Sequence, residues 1–313
     1  MSSKREQLET WSTLVADTGE LAAIRALRPV DATTNPSLLL ALAKQGSPLL
    51  DEARRLARQL EGDDDPALCC DAFATLTGQT VLELIPGLVS TEVDARLSFD
   101  ITATVERARR LMALYRELGV DTERVLIKIA ATWEGIRAAE ILEQEGIHCN
   151  LTLVFSLEQA LAASQRGATL ISPFVGRIHD WYASRGMVID SPEQDPGVIS
   201  VRAIFRTLKG LGLDTIVMGA SFRNTGQIEA LAGCDRLTIS PALLEKLADD
   251  AGTLTRHLDA TDIELVPEQP QMNEASFRWS LNDNPMACDL LADGIRRFAR
   301  DQEALEALLQ AEN

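Results

Sequence analysis

Short runs of apolar residues alternate along the chain with stretches in which apolar residues recur at the spacing of an amphipathic helix. The apolar runs predict strands at 12–16, 30–33, 81–84 continuing to 89–93, 124–129, 148–153, 169–172, 215–219 and 236–239. Strands that alternate with helices predict a parallel sheet with both faces covered. About eight such strands are what a (β/α)8 barrel, or TIM barrel, requires, so the predicted fold class is α/β with this architecture.

The segments between the predicted strands have the periodicity and the boundaries of helices. One apolar stripe predicts a helix over 100–118 that ends before Gly119, and it comprises Ile101, Val105, Ala108, Met112 and Tyr115. Further helices are predicted at 134–145, 157–166 and 289–309. Additional helices are therefore expected before the first strand and at the C-terminus, around a single barrel.

Several residue pairs predict where individual helices begin. Ser156 and Gln159 have the spacing of a capping box ahead of the helix at 157–166. Asn35-Pro36 and Ser240-Pro241 each predict a helix start, because proline fits the first helical position. The acidic stretch 61–66 is expected to form a turn between two helices.

Length and charge restrict the class of protein. The chain has 313 residues, and we expect one domain over 1–313, because barrels of roughly 250 residues commonly form a single domain. We see no apolar run long enough for a bilayer and no secretory signal after the first residues. A formal net charge of −17 disfavours nucleic acid and anionic membranes as partners. An anionic substrate would have to be bound by arginines that particular loops place.

Cysteine and histidine usage argues against disulfide and metal chemistry. The chain has 5 cysteines, an odd number without a C-x-x-C pair, and 3 histidines without ligand spacing. We therefore expect reduced thiols, a cytoplasmic location and no metal site. The adjacent Cys69 and Cys70 are interpreted as small core residues on a helix.

Lys128 is the one charged residue inside the apolar run 125–130. A buried lysine is costly unless it is paired or neutral, and a neutral amine can attack a carbonyl to form an imine. A lysine that reaches solvent or pairs with a carboxylate is the structural alternative. Its place near the carboxyl end of a central strand favours catalysis, because TIM-barrel active sites lie at that end.

The other predicted strands also end in polar residues. The residues at or just after these strand ends are Asp17, Thr33, Asn35, Glu92, Asn150, Thr152, Ser172, Phe174, Arg177, Ser221 and Arg223. Each one alone has a structural explanation, such as a turn or a helix cap. Together they would bring two carboxylates, a lysine, small polar groups and two arginines to one rim, which predicts an active site. Arg177, Arg223 and Ser221, the last at a helix N-terminus, could hold a phosphate.

These stretches resemble the classical transaldolases of the pentose phosphate pathway, which are Schiff-base enzymes of the class I aldolase superfamily. The most specific stretches are 31–39 (DATTNPSLL) and 125–137 (VLIKIAATWEGIR). The resemblance continues through 86–97, 149–155, 171–181, 217–224 and 293–298, and it is weakest across 46–80 and 250–275. It implies a TIM barrel that transfers a dihydroxyacetone unit from a ketose phosphate to an aldose phosphate, without a metal or organic cofactor. Members of this length are commonly homodimers, so we expect a homodimer.

The resemblance also implies roles for individual residues. Lys128 corresponds to the imine-forming lysine, Asp17 to the acid/base of carbon–carbon cleavage, and Glu92 to the group that acts through water in imine formation. The dihydroxyacetone hydroxyls would be held by Asn35, Asn150 and Ser172, with Thr33 and Thr152 in support. The phosphate would be held by Arg177, Ser221 and Arg223, with Phe174 as an apolar wall.

One local departure is Ala131, where the family carries a serine; because it lies beyond the strand end, we expect little effect on the reaction class. Three other functions are compatible with a barrel. They are an aldolase that releases free dihydroxyacetone, a phosphate isomerase with a carboxylate base, and a catalytically silent scaffold. The isomerase leaves Lys128 without a role, and the intact set of Lys128, Glu92 and Asp17 argues against the scaffold.

Overall fold

A computed structural model describes residues 2–61 and 65–310, and within them eight parallel strands close into a barrel in the order β1 to β8. The strands are β1 (Thr13–Asp17), β2 (Asp31–Thr33), β3 (Val89–Glu92), β4 (Val125–Ala130), β5 (Cys149–Val154), β6 (Leu170–Pro173), β7 (Ile216–Gly219) and β8 (Arg236–Ile239). The predicted TIM barrel is confirmed. Of the turn predicted at 61–66, residues 62–64 lie outside the described residues.

Helices cover the outside of the barrel and both ends of the chain. They are α1 (Lys4–Glu9), α2 (Leu21–Leu27), α3 (Pro36–Lys44), α4 (Leu49–Glu61), α5 (Pro66–Leu82), α6 (Ile101–Glu117), α7 (Trp133–Gln144), α8 (Leu157–Ser164), α9 (Gly176–Ala183), α10 (Pro196–Gly210), α11 (Thr225–Glu229), α12 (Pro241–Asp249), α13 (Glu274–Asn282) and α14 (Pro285–Gln310). Short 3₁₀ turns lie at Ala95–Leu97, Thr122–Arg124, Pro192–Gln194 and Ala260–Asp262. The expected extra helices before β1 and at the C-terminus are present.

One predicted strand segment is wrong. Residues 81–84 do not form a strand, because Val81 and Leu82 belong to α5 and strand β3 begins only at Val89. Helix α5 is buried on nearly every side, so its apolar residues show no amphipathic stripe. A continuous apolar run cannot be assigned to a helix or a strand by periodicity alone, which explains the error.

The predicted helix starts are confirmed to different degrees. Asn35 caps α3 by accepting a hydrogen bond from the Leu38 N–H at 3.0 Å. At α8 the Ser156 hydroxyl accepts from the Gln159 N–H, but the Gln159 side chain accepts from Phe155 and so completes no capping box. Ser240 precedes α12 without a side-chain capping bond.

The interior of the barrel is closed by a small apolar layer of Val15, Leu126, Leu170 and Met218. The larger core lies between the strands and the surrounding helices. Because side chains fill the barrel, polar residues at the carboxyl ends of the strands stand over an apolar floor rather than in a pore. Cys69 and Cys70 are buried on α5, as expected. Among the described helices, none is both long enough and apolar enough to cross a membrane.

Candidate active site at the carboxyl end of the barrel

A cavity of about 270 Å³ opens at the carboxyl ends of the strands. All of the predicted site residues except Glu92 and Asn150 line it: Asp17, Thr33, Asn35, Lys128, Thr152, Ser172, Phe174, Arg177, Ser221 and Arg223. Their side chains converge because parallel strands direct their carboxyl ends to one rim. The two exceptions lie directly behind lining residues and contact them through an ion pair and a hydrogen bond.

Lys128 and Glu92 form a buried ion pair. The two residues are register partners on β4 and β3, and Lys128 Nζ lies 3.0 Å from Glu92 Oε2. Lys128, 6% exposed as a residue, also donates a hydrogen bond to the Thr34 carbonyl at 3.1 Å. Burial raises the pKa of Glu92, and the Lys128 charge acts in the opposite direction. A carboxyl whose pKa is raised by burial, in contact with an amine, is suited to proton exchange with it.

Asp17, at the end of β1, is the second carboxyl of the site. Burial raises its pKa, while the Lys128 charge, the Thr33 hydroxyl and the Arg177 charge lower it. Thr33 Oγ1 donates to Asp17 Oδ1 over a long 3.4 Å contact. The carboxyl therefore has few fixed partners and can accept or release a proton in the cavity.

Small polar groups line the wall formed by β5 and β6. Ser172 donates to Asn150 Oδ1 at 2.7 Å, and Asn150 donates in turn to the Ser90 hydroxyl at 3.0 Å. Asn150 is fully buried, so it orients Ser172 from behind. The hydroxyl of Thr152 lines the cavity and is buried without a hydrogen-bond partner. On the β2 side, the Asn35 oxygen is engaged in its helix cap, which leaves its NH₂ group as the donor for a ligand.

Arg177, at the start of α9, is a half-buried cation that lines the cavity. Its guanidinium carbon lies 5.0 Å from the Phe174 ring centre and 5.4 Å from that of Phe298 on α14. Burial lowers the pKa of Arg177, and its Nη1 atom is buried without a hydrogen-bond partner. A guanidinium held between two rings, with a donor still unsatisfied, is suited to binding an anion such as a phosphate.

Ser221 and Arg223 lie in the loop between β7 and α11. The prediction that Ser221 lies at a helix N-terminus is wrong, because α11 begins at Thr225 and is capped by Asn224. Ser221 instead has a positive φ of 63°, a strained conformation for a serine. Arg223 donates to Asp180 at 3.0 Å through Nε and at 2.7 Å through Nη2. The Asp180 carboxylate therefore orients the Arg223 guanidinium along the rim of the cavity.

Some cavity residues were not predicted from the sequence: Met218, Ala220, Phe222, Thr238, Ser240 and Phe298. Thr238 lies near the end of the strand predicted at 236–239, and Ser240 follows it directly. Selecting the polar residues at the end of this strand, as was done for the others, would have identified both. Phe298 has no such signal, because it lies on α14 and reaches the cavity only through the packing of that helix.

Comparison with known proteins places the chain in a family. The family model described as transaldolase/fructose-6-phosphate aldolase matches residues 14–309. A transaldolase of Marinobacter nauticus is 60% identical over 311 residues, which cover 98% of this chain and 97% of that protein. A transaldolase of Stutzerimonas stutzeri is 56% identical, with 99% of both chains covered, and one of a Marinomonas species is 52% identical, again with 99% of both covered. The chain thus belongs to the transaldolase/fructose-6-phosphate aldolase family.

Proposed function

We propose that this protein is a transaldolase of the non-oxidative pentose phosphate pathway. It transfers a dihydroxyacetone unit from sedoheptulose 7-phosphate or fructose 6-phosphate to glyceraldehyde 3-phosphate or erythrose 4-phosphate. The observation that carries this proposal is the ion pair of Glu92 with Lys128, which lines a cavity together with Asp17 and Arg177. The names of its full-length relatives support the same reaction.

In the first step the amine of Lys128 attacks the ketose carbonyl. Glu92, 3.0 Å from Nζ, accepts the ammonium proton to leave a neutral amine. The resulting carbinolamine loses water, with Glu92 returning a proton through a water molecule to the departing hydroxyl. The product is an iminium ion, which withdraws electrons from the neighbouring carbon–carbon bonds.

In the second step Asp17 takes the proton from the C4 hydroxyl, and the bond between C3 and C4 breaks. The bonding electrons move into the iminium, so the dihydroxyacetone unit stays on Lys128 as a stabilised carbanion while the aldose phosphate leaves. A second aldose phosphate then enters and the steps run in reverse. Asp17 is suited to both directions because burial raises its pKa toward the range in which a carboxyl can also act as an acid.

The substrate's two ends are held by different groups in this proposal. Asn35 and Ser172, with Thr33 and Thr152, hold the dihydroxyacetone hydroxyls near Lys128, and Asn150 supports them from behind Ser172. Arg177, Ser221 and Arg223 bind the phosphate at the other side of the cavity, and Phe174 supplies an apolar wall. Glu92 and Asp17 accept and return the protons of these steps, Glu92 partly through water.

We also propose that the protein is a cytoplasmic homodimer. The cysteine usage supports the location, and the C-terminal helices offer a surface for the interface, with Trp279 on α13 68% exposed. Light scattering of the purified chain tests the dimer, and a monomeric mass at micromolar concentration would rule it out.

Borohydride trapping tests the proposed reaction. We expect reduction in the presence of fructose 6-phosphate to attach a dihydroxyacetone-derived adduct to the peptide that contains Lys128, as seen by mass spectrometry. Lys128→Met is the matched control and should take up none. Absence of the adduct on the parent protein would refute the Schiff base.

Initial-rate kinetics separate transfer from aldolase activity. A covalent intermediate carried between two substrates gives parallel double-reciprocal lines. Turnover that depends on an added aldose phosphate supports the transferase. Steady release of free dihydroxyacetone without an acceptor would identify an aldolase instead.

A further inference from the structure

Two threonine hydroxyls form a row that ends at Asp17. Thr33 on β2 and Thr238 on β8 belong to the two strands that flank β1, which carries Asp17. Their Oγ1 atoms are 3.0 Å apart, and Thr33 Oγ1 lies 3.4 Å from Asp17 Oδ1. Thr33 is 3% exposed and Thr238 is 5% exposed, so both side chains are buried where they line the cavity.

Counting protons determines the direction of these hydrogen bonds. A carboxylate only accepts, and each threonine hydroxyl has one proton to donate. When Asp17 is ionised, Thr33 donates to it, and Thr238 must then donate to Thr33. When Asp17 carries a proton and donates to Thr33, the row reverses and Thr33 donates to Thr238. The Thr33 hydroxyl thus both donates and accepts a hydrogen bond in each protonation state of Asp17, and it does so only because Thr238 has a hydroxyl.

We propose that Thr238 is a positioning residue for the acid/base step, because it holds the Thr33 hydroxyl in the orientation that each protonation state of Asp17 requires. This inference rests on the proposed role of Asp17. During each turnover Asp17 gains and then returns a proton, so its partner must serve as donor and acceptor in turn. Neighbouring hydrogen bonds polarise one another, so the donation from Thr238 strengthens the weak 3.4 Å bond from Thr33.

The charges around Asp17 determine the direction of the expected effect. Burial raises the pKa of Asp17, Lys128 on β4 and Arg177 on α9 act in the opposite direction, and Glu92 on β3 is the neighbouring carboxyl. The bond from Thr33 is a further influence that favours the ionised form. Loss of the Thr238 hydroxyl weakens that bond while burial is unchanged. Asp17 then becomes harder to ionise, and activity that needs the carboxylate is lost at a higher pH.

The test compares Thr238→Val, which keeps the shape and removes the hydroxyl, with Thr238→Ser, which keeps the hydroxyl. The measurement is kcat/KM for fructose 6-phosphate, with erythrose 4-phosphate as acceptor, between pH 5 and 9. For Thr238→Val we expect the midpoint of the acid limb to rise by about half a unit, with a several-fold lower rate at the optimum. Thr238→Ser should keep the parent midpoint. If the valine variant does not fold, Thr238→Ala and Thr238→Ser form the equivalent pair.

Borohydride trapping separates failure of this inference from failure of the proposed function. An unshifted acid limb in Thr238→Val, with the Lys128 adduct still formed, would overturn the role of Thr238 and leave the Schiff base intact. A change in KM alone would identify a substrate contact and would equally overturn the positioning role. If the parent protein forms no adduct, the proposed function itself fails.

Discussion

Carboxylates at the two ends of this barrel have opposite surroundings. At the amino end, Glu143 Oε1 accepts from the backbone N–H groups of Cys149 at 2.8 Å and Thr169 at 2.7 Å. Asp235 there accepts from the Val217 N–H at 2.8 Å and pairs with Lys209 at 2.8 Å. At the carboxyl end, Glu92 has an ion pair with Lys128, and Asp17 has a single long contact with Thr33.

The difference separates stability from chemistry within one fold. The carboxylates at the amino end accept hydrogen bonds from backbone N–H groups. These fixed donors compensate the negative charge permanently. The carboxyl-end groups are buried with incomplete partners, and burial raises the pKa of both Asp17 and Glu92. Such unfavourable burial of carboxyl groups is typical of sites that bind a substrate or transfer a proton.

The largest expected effect is on catalysis at the carboxyl end. Glu92→Gln keeps the side-chain shape and removes the carboxylate that we propose exchanges a proton with Lys128. We expect kcat to fall by roughly 10²- to 10⁴-fold, the usual contribution of a positioned acid or base, with a cooperative unfolding transition retained. Stopped assays of aldose phosphate release check the rate, and circular dichroism checks folding. A variant with parent-like kcat would exclude Glu92 from the proton transfers.

The corresponding substitution of a carboxylate at the amino end should lower stability rather than activity. Glu143→Ala leaves the N–H groups of Cys149 and Thr169 without their acceptor. Because an unsatisfied buried donor costs about 1–3 kcal/mol, we expect about 2–4 kcal/mol lower stability in urea titration. The kcat of the folded fraction should match the parent. A fall in kcat without a fall in stability would contradict the division between the two ends.

The arginine at the carboxyl end provides a sharper comparison through substrate affinity. Arg177→Lys retains a positive charge but loses the planar fork that lies between Phe174 and Phe298. We expect KM for the phosphorylated ketose to rise about 10-fold, equivalent to one hydrogen bond of about 1.4 kcal/mol. Arg166→Lys is the matched control, because Arg166 stacks on Trp133 at 4.5 Å outside the cavity. Equal changes in KM for both variants would argue against a phosphate site at Arg177.

The smallest expected effect is a gain in stability. Burial raises the pKa of Asp17, so its ionised form opposes folding at neutral pH. Asp17→Asn removes that cost, and we expect Tm at pH 7 to rise by about 2–4 °C. The difference should shrink as the pH falls through the raised pKa, because the carboxyl of the parent then becomes protonated. Scanning calorimetry at several pH values measures it, and a lower Tm at pH 7 would contradict the comparison.

Local patterns were sufficient for most elements of the fold. Strands such as β4 and β8 agree with their predicted positions to within a residue, because an apolar run between turn residues has few other structures available. The error at 81–84 arose where burial on all sides of α5 removed the helical stripe. Ser221 was misplaced for a related reason, since its positive φ is imposed by the loop after β7 and has no marker such as glycine.

Packing between distant segments explains what the site predictions lacked. Phe298 on α14 reaches Arg177, although more than a hundred residues separate them. Gly294, one turn earlier, allows this approach, because a Cβ atom there would lie 2.7 Å from Leu153 and 3.2 Å from Arg177. Such contacts depend on how a C-terminal helix lies across the barrel, and no local pattern contains that information.

The sequence by itself determined the strand–helix alternation and the position of Lys128 near a strand end, because both follow from the local order of apolar and polar residues. Only the tertiary structure decided which groups surround that lysine. It brought Glu92 within 3.0 Å of Lys128 and placed Thr238 behind Thr33, although 205 positions separate the two threonines. The physical reason is that pKa values and hydrogen-bond partners depend on burial and distance in space, which closure of the barrel creates.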